Sequence, residues 1–294
     1  MPDPLIILCP LRSFSSVVCG MLGQHPEMYG MPELNLFLED NLGALLQRHQ
    51  RTRPFAVHGL LRALAQLHDG QQTETTVRRA QHWLNARLSW STQQVFAYLA
   101  DLVAPRMLID KSPATVMSSH SLQIAHRICP NASYLHLTRH PRTTGKSILD
   151  LVQRNHEWNG PADPERVDPE RLWSIAHRNI VAFTRTLPLG QHMRIKGEDL
   201  LSALDVYLPQ IAEWLGVRTD PDAIEAMKHP ETSPYACLGP ANARMGNDPN
   251  FLKDPRLRPA RAQEQPRLEG ELDWRPGSDF SPATLKLARE FGYQ

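Results

Sequence analysis

Apolar residues along this chain fall into two spacings. Short, nearly unbroken runs at Leu5–Cys9, Met107–Asp110, Tyr134–Thr138 and Met193–Lys196 have the length and content of strands buried on both faces. Between them the spacing lengthens to that of amphipathic helices. It predicts helices over Ser15–Gly23, Asn35–Arg48, Val57–His68, Thr75–Ser89, Thr92–Leu102, Ser118–Cys129, Thr143–Val152, Pro169–Thr186 and Leu204–Leu215. Serines stand at the start of the first helix and a glycine at its end, as capping requires. Strands alternating with helices predict an α/β fold with a central parallel sheet and helices on both faces. The stretch from His229 to Pro276 breaks the pattern with many prolines and scattered Arg and Lys. A loop of that length is usually functional or disordered, and the helical spacing of Ser281–Phe291 behind it would pin its far end. No internal repeat and no clean domain boundary is visible.

Composition narrows the chemistry. The 294 residues suffice for a sizeable core. With 32 Lys and Arg against 31 Asp and Glu there is no global basic field to draw nucleic acid or a membrane surface, so any anion site must be local. Cys9, Cys19, Cys129 and Cys237 lack metal-ligand spacing, which argues against a metal or a disulfide framework and for reduced thiols. Pro10 and Arg12 interrupt the first apolar run too early for a signal peptide, and no run approaches the roughly 20 residues of a membrane span. A soluble, cytoplasmic protein is expected.

Two stretches carry candidate chemistry. In LIILCPLRSFSSVVCGML (5–22) a strand feeds a helix through a turn with Arg12, Ser15 and Ser16. Free N–H groups and the positive end of the helix dipole meet there, which makes a cradle for phosphate or sulfate, although an ordinary strand–turn–helix with serine caps would read the same. In YLHLTRHPRTTGKSILD (134–150) Arg139 follows a strand and Ser147 lies eight residues on, within a helix. The carboxyl end of a parallel strand is where ligands bind, and arginine clamps phosphate bidentately; a structural arginine paired with a helix carboxylate is the alternative. Gly145-Lys146-Ser147 is a decoy. A nucleotide-triphosphate loop needs GxxxxGK[ST], but position 140 is His140 and the segment must be helical.

Taken in order and at this separation, PLRSFSS and RHPRTTGKS resemble the two donor-binding motifs of sulfotransferases that use 3′-phosphoadenosine 5′-phosphosulfate (PAPS), in the branch of bacterial and tyrosylprotein sulfotransferases. The resemblance covers about residues 5–200. It implies a P-loop-NTPase-like three-layer fold forming one domain over 1–294, with a helical acceptor-pocket insertion at about 34–104 and a lid at about 229–276. It implies that the 5′-phosphosulfate rests on Arg12, Ser13, Phe14, Ser15 and Ser16, and the 3′-phosphate on Arg139 and Ser147. Where the family has a glycine this chain has Phe14. Phenylalanine resists positive φ, so the turn is expected in a conformation open to ordinary residues, with the ring toward the core or the acceptor pocket. The family's adenine-stacking tryptophan is Val17 here, which leaves the adenine contact unassigned.

The resemblance also assigns the transfer step. Cytosolic members place a histidine two residues after a lysine; in DKSPAT that position is Pro113, so the base lies elsewhere. GQHPEMYGMPELNLF matches relatives with a catalytic glutamate seven residues beyond an HP pair, which is Glu33 here. A glutamate early in a predicted helix is also favoured on dipole grounds alone. His25 is the reserve, since histidine titrates near neutrality. Lys111 would face the donor sulfate, or merely solvate a strand end. Arg244, Lys253, Arg256 and Arg258 are candidates for a lid contact to the 3′-phosphate, with Arg244 foremost, and Trp158 for a wall of the acceptor pocket. No metal is implied. The acceptor would be a small molecule or a carrier-tethered intermediate bearing a hydroxyl or amine, with no nucleic-acid or membrane partner. Two rivals remain: a P-loop small-molecule kinase, for which Asp110 is a weak magnesium ligand, and a non-catalytic nucleotide-binding relative.

Overall fold

The structure is a computed structural model and describes residues 2–154, 167–257 and 266–294. Strands β1 (Leu5–Leu8), β2 (Met28–Gly30), β3 (Met107–Asp110), β4 (Ser133–Thr138) and β5 (His192–Lys196) form one all-parallel sheet in the order β2-β3-β1-β4-β5. The helices of the first half are α1 (Ser15–Leu22), α2 (Leu42–Thr52), α3 (His58–Asp69), α4 (Glu74–Asn85), α5 (Thr92–Val103), α6 (Ser119–Ile128) and α7 (Pro141–Arg154). Then come α8 (Pro169–Thr184), α9 (Gly197–Ser202), α10 (Leu204–Leu215), α11 (Pro221–Ala226), α12 (Pro249–Lys253) and α13 (Pro282–Glu290).

Alternation along each strand divides the interior into two layers of core. Ile6, Leu8, Leu108 and Tyr134 pack with residues of α2 to α6 and α8. Leu5, Ile7, Ile109, Leu135 and Leu137 point the other way, onto α1, α10 and α11. The result is the three-layer α/β arrangement the alternation of elements implied. Local signals set the helix starts. An acid or serine caps the helix and proline takes its first position at Asp168-Pro169, Asp220-Pro221, Asp248-Pro249 and Ser281-Pro282. Two capping boxes, Thr73 with Thr76 and Ser91 with Gln94, open α4 and α5.

Three elements differ from expectation. β2 has three residues, too few for a periodicity, and ends in a glycine whose added Cβ would lie 2.5 Å from the Cys19 carbonyl oxygen. The helix expected from Asn35 instead begins at Leu42, capped by Asn41. Asn35 takes a left-handed conformation (φ 55°), Leu36–Leu38 make a single 3-10 turn and Glu39 is extended. Glu33 is therefore not a helix-start residue; it stands in the extended segment just after β2. Finally, part of the proline-rich stretch is ordered by burial: its Leu268 and Leu272 form a third core with Phe280, Trp173 of α8 and Leu287 of α13.

Candidate active site

Each strand delivers part of the site to the carboxyl edge of the sheet, and strand order fixes the sequence of these parts in space. Across the edge come Glu33 after β2, Lys111 after β3, the Arg12–Ser16 turn after β1, Arg139 after β4 and Gly197 after β5. The connections that leave β1 and its neighbour β4 run to opposite sides of the sheet, and open α/β sheets take ligands at such a point. Neighbouring strands lie about 4.8 Å apart. Lys111, from the strand between β2 and β1, is thus placed to reach both sides.

It does so. The Lys111 ammonium, fully buried (0 % exposed), donates to Ser16 Oγ at 2.9 Å and pairs with Glu33 Oε1 at 2.9 Å; the Glu33 side chain remains 31 % exposed. Ser16 Oγ also accepts the Asp248 backbone N–H at 2.9 Å. Both bonds are received, which leaves the hydroxyl hydrogen free to be given to an anion. A positive charge, a hydroxyl donor and a partly exposed carboxylate meet within one hydrogen-bonded chain.

The turn itself is wound tightly. Arg12 and Phe14 both adopt left-handed backbone (φ 65° each), and Ser13 between them is buried with its hydroxyl unpartnered among the described residues. This corrects the expectation that Phe14 avoids positive φ. A non-glycine residue there costs roughly 1–2 kcal/mol. Two contacts offset it. The Phe14 ring fills the notch left by Gly197, where a Cβ would sit 2.4 Å from the ring, and the Arg139 guanidinium stacks over the ring at 4.4 Å. The ring packs against the α1–α10 core, as one of the two expected placements had it. Arg139 Nη1 in turn donates to the Arg12 carbonyl at 2.6 Å, and its Nε to Thr143 Oγ1 at 3.2 Å.

The two expected anion grips are contiguous. Arg12 Nε donates to Ser147 Oγ at 2.9 Å, and the same guanidinium forms an ion pair with Asp248. Arg12–Ser16, Arg139 and Ser147 line one cavity of ≈ 870 Å³, closed on its far side by 248–257 and walled by apolar Val17, Leu201, Leu204 and Leu257.

A family model described as the sulfotransferase family matches residues 4–221. The chain belongs to the sulfotransferase family. Among solved structures it is similar over its whole length to the sulfotransferase domain of the Synechococcus PCC 7002 olefin synthase (27 % identity, 95 % of that chain, TM-score 0.76). The sulfotransferase domain from the curacin biosynthetic pathway shares its fold (23 % identity, 100 % of this chain, 99 % of that chain, TM-score 0.78). No curated protein sequence matches it. The chain is accordingly an enzyme of sulfuryl transfer, with the P-loop-like three-layer fold of its family.

Not every expected residue of this sulfotransferase lines the cavity: Lys111 and Glu33 adjoin it through Ser16 rather than line it. His25 lies at the opposite, amino edge of the sheet, in the turn before β2. Its ring nitrogens are taken by the Arg218 carbonyl (2.9 Å) and the Glu27 backbone N–H (3.1 Å). Arg244 is exposed, follows a short turn whose Ala243 packs into the α3–α4 core, and is not part of the cavity lining; Arg256 is the arginine of the late loop that lines it among the described residues. Trp158 and Arg258 lie outside the described residues. Gly145–Ser147 falls inside α7, as the rejection of a nucleotide-triphosphate loop required. Among the described residues, no group of three or more His, Cys, Asp or Glu side chains is placed to hold a metal, and no helix is long and apolar enough to cross a membrane. Asp248 was not anticipated. Its only sequence signal was the Asp-Pro start of a helix, which says nothing about a partner 236 residues away.

Proposed function

We propose that this sulfotransferase moves the sulfuryl group of PAPS to a hydroxyl or amine of a small or carrier-tethered acceptor, with Glu33 as general base. The observation that carries the reading is Lys111, bonded at once to the cradle serine Ser16 and to Glu33. In-line transfer needs an acceptor on one side of the sulfur and the leaving phosphate on the other. Ser16 and Arg12 face the phosphate side and Glu33 the acceptor side. Glu33 takes the proton as the acceptor oxygen or nitrogen bonds to sulfur. The bond from sulfur to the phosphate oxygen breaks, and adenosine 3′,5′-bisphosphate leaves. Lys111 balances the charge that develops on the bridging oxygen. Arg139 and Ser147 hold the 3′-phosphate, and the apolar wall of Val17, Leu201, Leu204 and Leu257 receives the adenine. The late segment at 248–257 serves as the lid, and the helices of 34–104 surround the acceptor. The sulfotransferase domains of an olefin synthase and of the curacin pathway belong to biosynthesis, which favours a carrier-tethered acceptor here.

The test is Glu33→Gln with labelled PAPS against a panel of alcohol and amine acceptors. Turnover should fall by about 10²–10⁴-fold, with binding of adenosine 3′,5′-bisphosphate nearly unchanged in the absence of magnesium. Turnover close to wild type removes Glu33 from the reaction; binding that demands magnesium and prefers ATP replaces sulfuryl transfer by a kinase reading.

A further inference from the structure

The pair formed by Lys111 and Glu33 joins two segments distant in sequence, and the residues beside each partner also bond to one another. Ser112 Oγ accepts the Asn35 backbone N–H at 2.9 Å and donates to Asp110 Oδ1 at 3.1 Å. The Leu34 backbone N–H lies near enough to the same Asp110 carboxyl to favour its charged form. Asp110-Lys111-Ser112 therefore grips Glu33-Leu34-Asn35 as a unit: side chain to side chain in the middle, side chain to backbone on the flanks.

The grip falls on a turn that needs it. Asn35 is left-handed (φ 55°), a conformation that costs free energy unless its surroundings enforce it. On the other side Glu33 N–H donates to the Gly246 carbonyl at 2.7 Å, and its own carbonyl abuts Gly59, where a Cβ would lie 2.1 Å away. The backbone of Glu33 is thus enclosed while its carboxylate reaches toward solvent.

Asp110 is an expensive way to hold a turn. It is 1 % exposed, and Oδ2 has no hydrogen-bond partner among the described residues. Burial pushes its carboxyl up to about 7, opposed by the Ser112 hydrogen bond and the Lys111 charge. A half-satisfied buried carboxyl lowers stability, which points to a role other than stability.

We propose that Asp110 and Ser112 are positioning residues for sulfuryl transfer: they fix the 33–35 turn so that the Glu33 carboxylate stays on the acceptor side of Lys111. The inference rests on Glu33 as the base. Neither residue touches donor or acceptor; they act through Glu33.

A double-mutant cycle on the full chain tests this. Release of labelled sulfate from PAPS is measured with water as acceptor in wild type, Ser112→Ala, Glu33→Gln and the double variant. Calorimetry with adenosine 3′,5′-bisphosphate and amide exchange of the peptide spanning 33–36 accompany it. Ser112→Ala should lower release about tenfold in the wild-type background and not in the Glu33→Gln background, because positioning a removed base changes nothing. Bisphosphate affinity should hold within about twofold, and exchange at Leu34 and Asn35 should rise. Equal losses in both backgrounds, no loss at all, or a parallel loss of bisphosphate affinity would overturn the proposal. If Glu33→Gln alone releases sulfate like wild type, the base assignment itself fails, a result distinct from failure of the grip.

Discussion

Asp248 places a carboxylate on the Arg12 guanidinium, the group proposed to bind the donor's anion, so neutralising it should tighten donor binding. Asp248→Asn is the informative change. Asp248 also caps α12 by accepting the Asn250 N–H at 2.8 Å, and asparagine caps as well as aspartate, so the helix start survives. The backbone N–H of 248 keeps its bond to Ser16 Oγ. What changes is charge. The Arg12 side chain is 7 % exposed and that of Asp248 24 %. Exposed ion pairs contribute about 0–1 kcal/mol and less solvated ones more. Relief of about 1–2 kcal/mol, at 1.4 kcal/mol per tenfold, gives roughly 5- to 30-fold tighter binding of adenosine 3′,5′-bisphosphate. Calorimetry at two salt concentrations reads both the gain and its electrostatic origin, since salt should shrink the difference. Unchanged affinity means the pair does not stand in the anion's way. Weaker binding means that Asp248 orients Arg12, and the reasoning fails.

Three further outcomes follow from contacts in and behind the cavity. Arg139→Ala removes a cation from the cavity and the support of both Phe14 and the Arg12 carbonyl, so bisphosphate affinity should fall at least tenfold by calorimetry; unchanged affinity refutes its role. Gly197→Ala drives a Cβ to 2.4 Å from the Phe14 ring and should cost about 1–3 kcal/mol by urea unfolding, with weaker bisphosphate binding because the ring carries the turn. Acid should destabilise the protein early. His136 Nε2 meets His177 Nδ1 at 2.9 Å in full burial, which lowers both, His177 to about 3. The unfolded chain then binds more protons below about 6.5, so stability is lost as pH falls through that value and continues to fall toward 3. Urea midpoints at about pH 8 and pH 5 should differ in wild type and less in His177→Gln.

Three strands of the sheet were legible in the sequence because β1, β3 and β4 are short, buried, largely apolar runs; β5, at the sheet edge, buries only Ile195 among its charged residues, so the expectation of a strand covered on both faces fails there. The cradle was legible because Arg12, Ser15 and Ser16 stand directly behind β1. Glu33 and Lys111 were reachable only through motif resemblance, and what joins them was not. Their contact depends on β2, whose three residues and terminal glycine carry no periodic signal, lying beside β3 at the sheet edge. Phe14 was misjudged for a related reason. Local sterics argue against positive φ, and the compensation comes from Gly197 and Arg139, residues 183 and 125 positions away that no local pattern connects. The misplacement of His25 and Arg244 has the same root: their chemistry was suitable, but α1 carries His25 back to the opposite edge and Ala243 anchors Arg244 toward the helices.

A single segment couples the halves of the site. Met245 accepts from buried Arg62 of α3 at 3.2 Å through its carbonyl and donates through its N–H to His58 at 3.3 Å. Gly246 accepts from Glu33, and Asp248 reaches Ser16 and Arg12. Gly246 takes φ 116°, and its Cβ would come within 2.8 Å of Gly59, so both positions demand glycine for the segment to pass. Residues 245–248 thus connect α3, the Glu33 backbone and the Arg12–Ser16 turn through hydrogen bonds and one ion pair. The contacts run without a break from Ser16 and Arg12 to the backbone of Glu33 along this one short segment. The Asp110–Ser112 contacts hold the same turn from its other side. Glu33 is thus held between two sets of contacts, one from the 245–248 segment and one from the residues that end and follow β3, so that a change in either should move its carboxylate relative to Lys111.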